Sequence, residues 1–163
     1  MSQMSAPTPQ DHAFLTRVFA LAQRSRDEGN HPFAAMVVGA DGTVIAEAMN
    51  DSSTDRTAHA EMNALRAASR RFGPAELAGA TLYSNAEPCA MCAGGTYWSG
   101  VGRVVYGMSE TSLLALTGSD PENPTLSLPC RDVFARGQRA TEVIGPLRED
   151  EAKEAHAGFW QQR

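Results

Sequence analysis

Residues 80–92 read ATLYSNAEPCAMC, and residues 57–71 read TAHAEMNALRAASRR. In the first stretch an apolar, strand-like run (residues 80–85) passes through Glu87-Pro88 into a helix that begins around two cysteines at i and i+3. In the second, a polar loop ends in His59-Ala60-Glu61 and an apolar helical stripe follows. Cys89 and Cys92 lie one turn apart on one helix face, where the positive helix N-terminus favours thiolates. His59, Cys89 and Cys92 form a Cys2His donor set. Three protein ligands leave the fourth tetrahedral position open, the pattern of a catalytic rather than a structural Zn2+. Glu61 is too close to His59 in sequence for comfortable ligation and better placed to move protons. Its competing reading is an acidic residue favoured at the positive end of the helix dipole.

Each half is weak alone. A lone HxE recurs by chance, and a lone PCxxC also fits a redox pair or half of a zinc ribbon. A ribbon needs a second CxxC, which the chain lacks, and a redox pair leaves HAE unexplained. Both halves begin helices after a strand or its loop. One helix and one strand separate them, so two helix ends can meet on one side of a sheet.

Outward from this core, Thr8 and Pro9 read as N-cap and N1 of a first helix. Its stripe is Phe14, Leu15, Val18, Phe19 and Ala22, and it stops at residues 27–30. Residues 33–38 and 43–49 read as strands joined by a turn at 39–42. A helix runs from Thr57 or Ala58 to about Arg71, with Asp55 or Thr57 as N-cap. Pro88 suits N1 of the next helix, which stops at Gly100, and its small residues suggest close packing against a neighbour. Residues 103–107 form a strand, 109–116 a short helix and 117–128 a long loop of the kind that often carries function. Residues 129–136 read as a helix, 141–144 as a strand and 148–160 as a final helix. The order α-β-β-α-β-α-β-α-β-α predicts an α/β fold, a three-layer α-β-α sandwich around a five-stranded mixed sheet. The helix between the last two strands permits a parallel crossover.

At 163 residues the chain fits one domain, with residues 1–8 as a loose tail. The net charge of −5 argues against a nucleic-acid partner. Lys153 is the sole lysine, and no basic run exists. No stretch is long and apolar enough to span a bilayer, and no signal peptide is visible, so a cytoplasmic protein is expected. Cys130 is left over from the motif and reads as a small, buried apolar residue.

The combined motif matches the H-x-E…P-C-x-x-C signature of zinc deaminases. With HPFAAMVV, the strand through Met49-Asn50, TAHAEMNALRAA, ATLYSNAEPCAMCAG and GRVVYGM, the chain resembles the cytidine deaminase-like superfamily over roughly residues 10–116. Its nearest branches are bacterial guanine deaminases and tRNA-specific adenosine deaminases. The resemblance implies a fifth strand parallel to the fourth. It implies one Zn2+ per subunit on His59, Cys89 and Cys92, Glu61 as proton shuttle, and Asn50 bonded to the substrate base. It also implies a homodimer with the active site near the interface. Tyr97-Trp98 and HPFAAMVV look like the guanine branch, where Asp120, Phe159 and Trp160 would be the counterparts of pocket-closing residues. GRVVYGM and residues 145–160 also look like the tRNA branch. Phe33, Ala60 and Trp98 complete the expected substrate contacts, with Phe33 or Trp98 offering a stacking face. Trp98, Phe159 and Trp160 have core packing as their alternative.

The expected reaction is hydrolysis of an exocyclic amine on a purine base, guanine or a related heterocycle, with release of ammonia. A tRNA adenosine deaminase, a pyrimidine-base or nucleoside deaminase, and a non-catalytic zinc-binding subunit are the alternatives. The intact Glu61 argues against the last.

Overall fold

The structure, a computed structural model, describes residues 5–160, so residues 1–4 of the expected tail lie outside the described residues. Helix α1 spans Pro9–Asp27. The Thr8 hydroxyl accepts the Asp11 N–H at 3.1 Å and the Asp11 carboxylate accepts the Thr8 N–H at 2.8 Å, a reciprocal cap with Pro9 in the first turn. The buried face of α1 is Asp11, Phe14, Leu15, Val18, Ala22 and Ser25, close to the stripe expected.

Strands β1 (Ala34–Val38), β2 (Val44–Met49), β3 (Thr81–Ala86), β4 (Arg103–Met108) and β5 (Glu142–Ile144) form one sheet in the order β2-β1-β3-β4-β5. β1 is antiparallel to β2 and β3, while β3–β4 and β4–β5 are parallel. The mixed sheet and its parallel fifth strand agree with the expectation. Every residue of β1 and β3 is buried, because both faces are covered. Ala34, Met36 and Val38 pack with Leu15, Val18 and Ala22 of α1. Ala35 and Val37 face the other way, in one cluster with Ala60, Ala64, Leu65 and Ala68 of α2 (Ala60–Ser69). The period of two along each strand thus divides the core into two layers.

Helix α4 (Ala90–Ser99) joins β3 to β4 and packs beside α2. Gly95 permits the approach, since a Cβ there would sit 2.5 Å from Met62 Sδ. Gly100 ends α4 at φ +97° and lies against Pro74, the start of the short α3 (Pro74–Leu77). Just after the end of α2, the Glu76 carboxylate accepts the Gly73 N–H at 3.0 Å and starts the turn of α3. Helices α5 (Glu110–Thr117) and α6 (Cys130–Ala135) connect β4 to β5. The expected helix over 148–160 is broken into α7 (Glu149–Ala152), a 3-10 turn (Glu154–His156) and irregular turns. Ala157 turns to φ −57°, ψ 119° and Gly158 to φ +69°, and the Arg26 guanidinium takes the Ala155 and Ala157 carbonyls. Among the described residues no helix is long and apolar enough to cross a membrane.

At the sheet end where β3 and β4 begin, Arg103 grips Asp11 through two hydrogen bonds of 2.7 Å, and the Tyr83 hydroxyl donates to Asp11 at 2.7 Å. Burial alone would raise the Asp11 carboxyl. The Arg103 hydrogen bond, the Thr8 amide and Tyr83 overcome it and hold Asp11 well below the usual carboxylate range. A depressed carboxyl stabilises the fold above its unfolded value near 3.9 and loses that contribution as pH falls toward the folded value. Asp11→Asn is therefore expected to cost roughly 3 kcal/mol near neutral pH and to flatten the acid limb of stability below about pH 4. Urea unfolding of both proteins across this range checks it. Parallel acid limbs would contradict the assignment.

Candidate active site

His59 and Cys89 are the N-caps of α2 and α4, each in extended backbone immediately before the first helical residue. The sequence reading placed His59 inside the first turn and Pro88 at N1. The helices instead begin one residue after each ligand, at Ala60 and Ala90, so both side chains point back over open helix ends. Cys92 is fully buried in the first turn of α4.

His59 Nδ1 is 3.6 Å from Cys89 Sγ and 3.6 Å from Cys92 Sγ. All three donor atoms lie within 4.8 Å of one another. Zinc bonds of about 2.3 Å to sulfur and about 2.0 Å to nitrogen, opened to a tetrahedral angle, require an S···N edge of about 3.6 Å. The donor spacing therefore fits zinc. Glu61 is 5% exposed. Its Oε1 accepts from the Ser84 hydroxyl at 2.6 Å, and its Oε2 lies 3.3 Å from Cys92 Sγ. The carboxyl thus sits beside the three donors.

These residues open onto a cavity of about 840 Å³, within the size range of small-molecule sites. Asn50, Phe33, His59, Glu61 and Cys89 all line it. Asn50 is 4% exposed. Its Oδ1 accepts both the Ser52 N–H at 2.9 Å and the Ser52 hydroxyl at 2.8 Å. A backbone amide can only donate, so this bond fixes which end of the Asn50 amide is oxygen.

Other expected contacts lie elsewhere. Ala60 is buried in the core at the start of α2 and is not part of the cavity wall. Trp98 is 81% exposed. It follows Cys89 by nine residues, about two and a half turns, which points it to the opposite side of α4. It is neither a core aromatic nor a face of this cavity. Asp120 is buried outside the wall and accepts the Glu122 N–H at 3.0 Å. The same loop reaches the cavity through Pro121–Leu126 instead. Phe159 and Trp160 stand behind the wall: Trp160 packs edge-on to the cavity residue His31 at 5.1 Å, and Phe159 does so at 5.8 Å.

The family model for the cytidine and deoxycytidylate deaminase zinc-binding region matches residues 8–108. The chain belongs to this family. It is a zinc-dependent hydrolytic deaminase. The chain is 40% identical over 153 residues to a probable cytosine deaminase of Schizosaccharomyces pombe, covering 92% of each chain. It is 41% identical over 101 residues to the guanine deaminase of Bacillus subtilis, covering 60% of this chain and 64% of that one. A solved guanine deaminase from Nitrosomonas europaea superposes with a TM-score of 0.71 at 28% identity, over 94% of this chain and 85% of that one.

In this deaminase several residues in or directly behind the cavity wall escaped the sequence reading. Ser84 sits mid-strand with no motif to mark it. Glu87 lies inside EPC, where it read only as a lead-in to the helix. It ties the starts of α5 and α6 to the site, accepting the Glu110 N–H at 3.0 Å and the Cys130 N–H at 2.8 Å. Glu110 lines the cavity, and burial and the nearby Glu87 push its carboxyl up to about 7. Cys130 is fully buried, and burial pushes its thiol up, which matches its bland reading.

Within the donor cluster, the Cys92 hydrogen bond and then His59 bring the Cys89 thiol down to about 4, against burial. The bond to Cys89 raises Cys92, and burial adds to it. The bond to Cys89 also raises His59. Ligation needs a Cys92 thiolate and a neutral His59. Zinc uptake is therefore expected to release protons, with affinity rising from about pH 6 to about pH 8. Calorimetry in buffers of different ionisation enthalpy reads this directly, and affinity flat across that range would contradict it. Cys89→Ser should lose zinc, whereas a fully loaded variant would overturn ligation.

Proposed function

We propose that the chain hydrolyses the exocyclic amine of a free purine base, guanine or a related aminated heterocycle, and releases ammonia. The observation that carries this reading is the Glu61 carboxyl beside the His59–Cys89–Cys92 cluster, at the wall of a cavity that also presents Asn50. Zinc held by these three residues supplies Lewis acidity that brings water ionisation toward neutral pH.

The chain's own residues do the rest. Asn50 spends its oxygen on Ser52, so its amide N–H2 is left to donate to a ring carbonyl or ring nitrogen. Glu61 takes a proton from the attacking water and delivers it to a ring nitrogen; it then takes that water's second proton from the added hydroxyl and passes it to the departing amine, which leaves as ammonia. One carboxyl serves as base and then acid. Its burial, which raises the carboxyl against the opposing pull of His59 and Ser84, favours that exchange. Phe33 and His31 flank the cavity and give a base apolar faces to lie against.

Four acidic side chains, Glu61, Glu87, Glu110 and Glu122, line the cavity against one guanidinium, Arg56. This balance disfavours a phosphate-rich substrate and supports a base over tRNA. Cytosine is the second reading, supported by the relative that matches over nearly the whole chain. A homodimer belongs to the proposal as well. The Trp98 ring, 81% exposed, supports a partner surface on that side of α4.

Ammonia release by zinc-loaded protein, measured on guanine, adenine, cytosine, their nucleosides and tRNA, tests the substrate. Guanine turnover is expected; turnover of cytosine alone would replace the purine reading with the second one. Glu61→Gln should keep zinc and lose roughly 10²- to 10⁴-fold in kcat. Full activity in that variant would contradict the shuttle role.

A further inference from the structure

Ser84 lies within β3 with no solvent exposure. It shares the strand face of Leu82, which packs with Ala60 and Ala64 of α2, so its hydroxyl arrives beneath the first turn of that helix. Its oxygen is 2.6 Å from Glu61 Oε1, 2.6 Å from the Ala86 carbonyl oxygen, and accepts the Ala86 N–H at 3.3 Å. A hydroxyl has one proton and serves one acceptor at a time. An ionised Glu61 is the stronger of the two, because it is charged.

We infer that Ser84 is a positioning residue for the deamination: by holding Oε1 of Glu61 it keeps Oε2 turned to the His59–Cys89–Cys92 cluster. The carboxyl stem has free torsions, and the approach of Cys92 Sγ to Oε2 at 3.3 Å is the weaker contact. Without the hydroxyl, Oε1 loses its anchor and the carboxyl can turn. When Glu61 carries the transferred proton on Oε2, Oε1 remains an acceptor and the hydroxyl goes on donating to it. The bond between the two side chains thus persists while Glu61 acts first as base and then as acid. The inference rests on the role proposed for Glu61.

The test compares wild type, Ser84→Ala and Ser84→Thr, all zinc-loaded, by kinetics and crystallography. Ser84→Ala is expected to keep its zinc and its KM within about twofold. Its kcat should fall roughly 10- to 100-fold, the size typical of an outer-shell partner. Its crystal structure should show the Glu61 carboxyl rotated or split between orientations. Ser84→Thr, which keeps the hydroxyl, should restore most of kcat. Wild-type kcat in Ser84→Ala, or an unmoved Glu61 carboxyl, overturns the inference. Should Ser84→Ala fail to fold or to hold zinc, Ser84→Cys, of similar volume and weak donor strength, is judged by the same two criteria. If the wild type deaminates no substrate, the functional proposal fails, and the crystallographic orientation of Glu61 still decides the role of Ser84.

Discussion

The 3.6 Å edges between His59 Nδ1 and the sulfurs of Cys89 and Cys92 are the constraint that the rest of the chain satisfies. Two donors are helix N-caps and the third is one turn further on. Their spacing therefore fixes where α2 and α4 begin and how closely they pack. α2 rests on β1 and β2, and α4 packs against α2 and α6. α1 closes the opposite face, and its Asp11–Arg103–Tyr83 network locks the end of the sheet remote from the site. Helix N-termini suit this task because their free N–H groups and dipole favour the anionic thiolates that a cation needs.

Around that centre, polar side chains such as buried Asn85 and half-buried Glu87 act as joints. Asn85 accepts the Ala34 N–H and donates to the Pro32 carbonyl, both at 2.9 Å, and so fixes the segment that carries Phe33 to the cavity. Glu87 spends both carboxylate oxygens on the first amides of α5 and α6. Each joint is a buried or half-buried group whose desolvation is met by hydrogen bonds. Each also sets the direction of a backbone segment that apolar packing alone leaves free to slide.

Much of this was legible in the sequence, for physical reasons that can be named. Local signals were sound: the Thr8-Pro9 cap, the apolar strand-like runs of β1 and β3, and the two spacings that bring His59, Cys89 and Cys92 together. Asn50 was visible through the family resemblance, and Glu61 because it shares a turn with a ligand. What failed depended on distant contacts. Residues 148–160 carry a helical pattern, but Ala157 turns to φ −57°, ψ 119° and Gly158 to φ +69°, with Arg26, more than a hundred residues away, bonded to the Ala155 and Ala157 carbonyls. Trp98 was placed by its neighbours in sequence, and helical rotation carries it to the outside. Asp120 was one residue short of the loop segment that faces the cavity. Ser84, Glu87 and Glu110 have no spacing signature, since their roles come from three elements meeting at one strand end.

The central claim is that one zinc, held by two helix ends, is what makes this cavity a deaminase. The most direct measurement is ammonia release from a turned-over base during titration of metal-free protein with zinc, with bound metal counted at each step. The account predicts activity that rises in proportion to zinc, saturates at one ion per chain, and disappears on chelation. Activity independent of zinc content, or saturation only beyond one ion per chain, would contradict it.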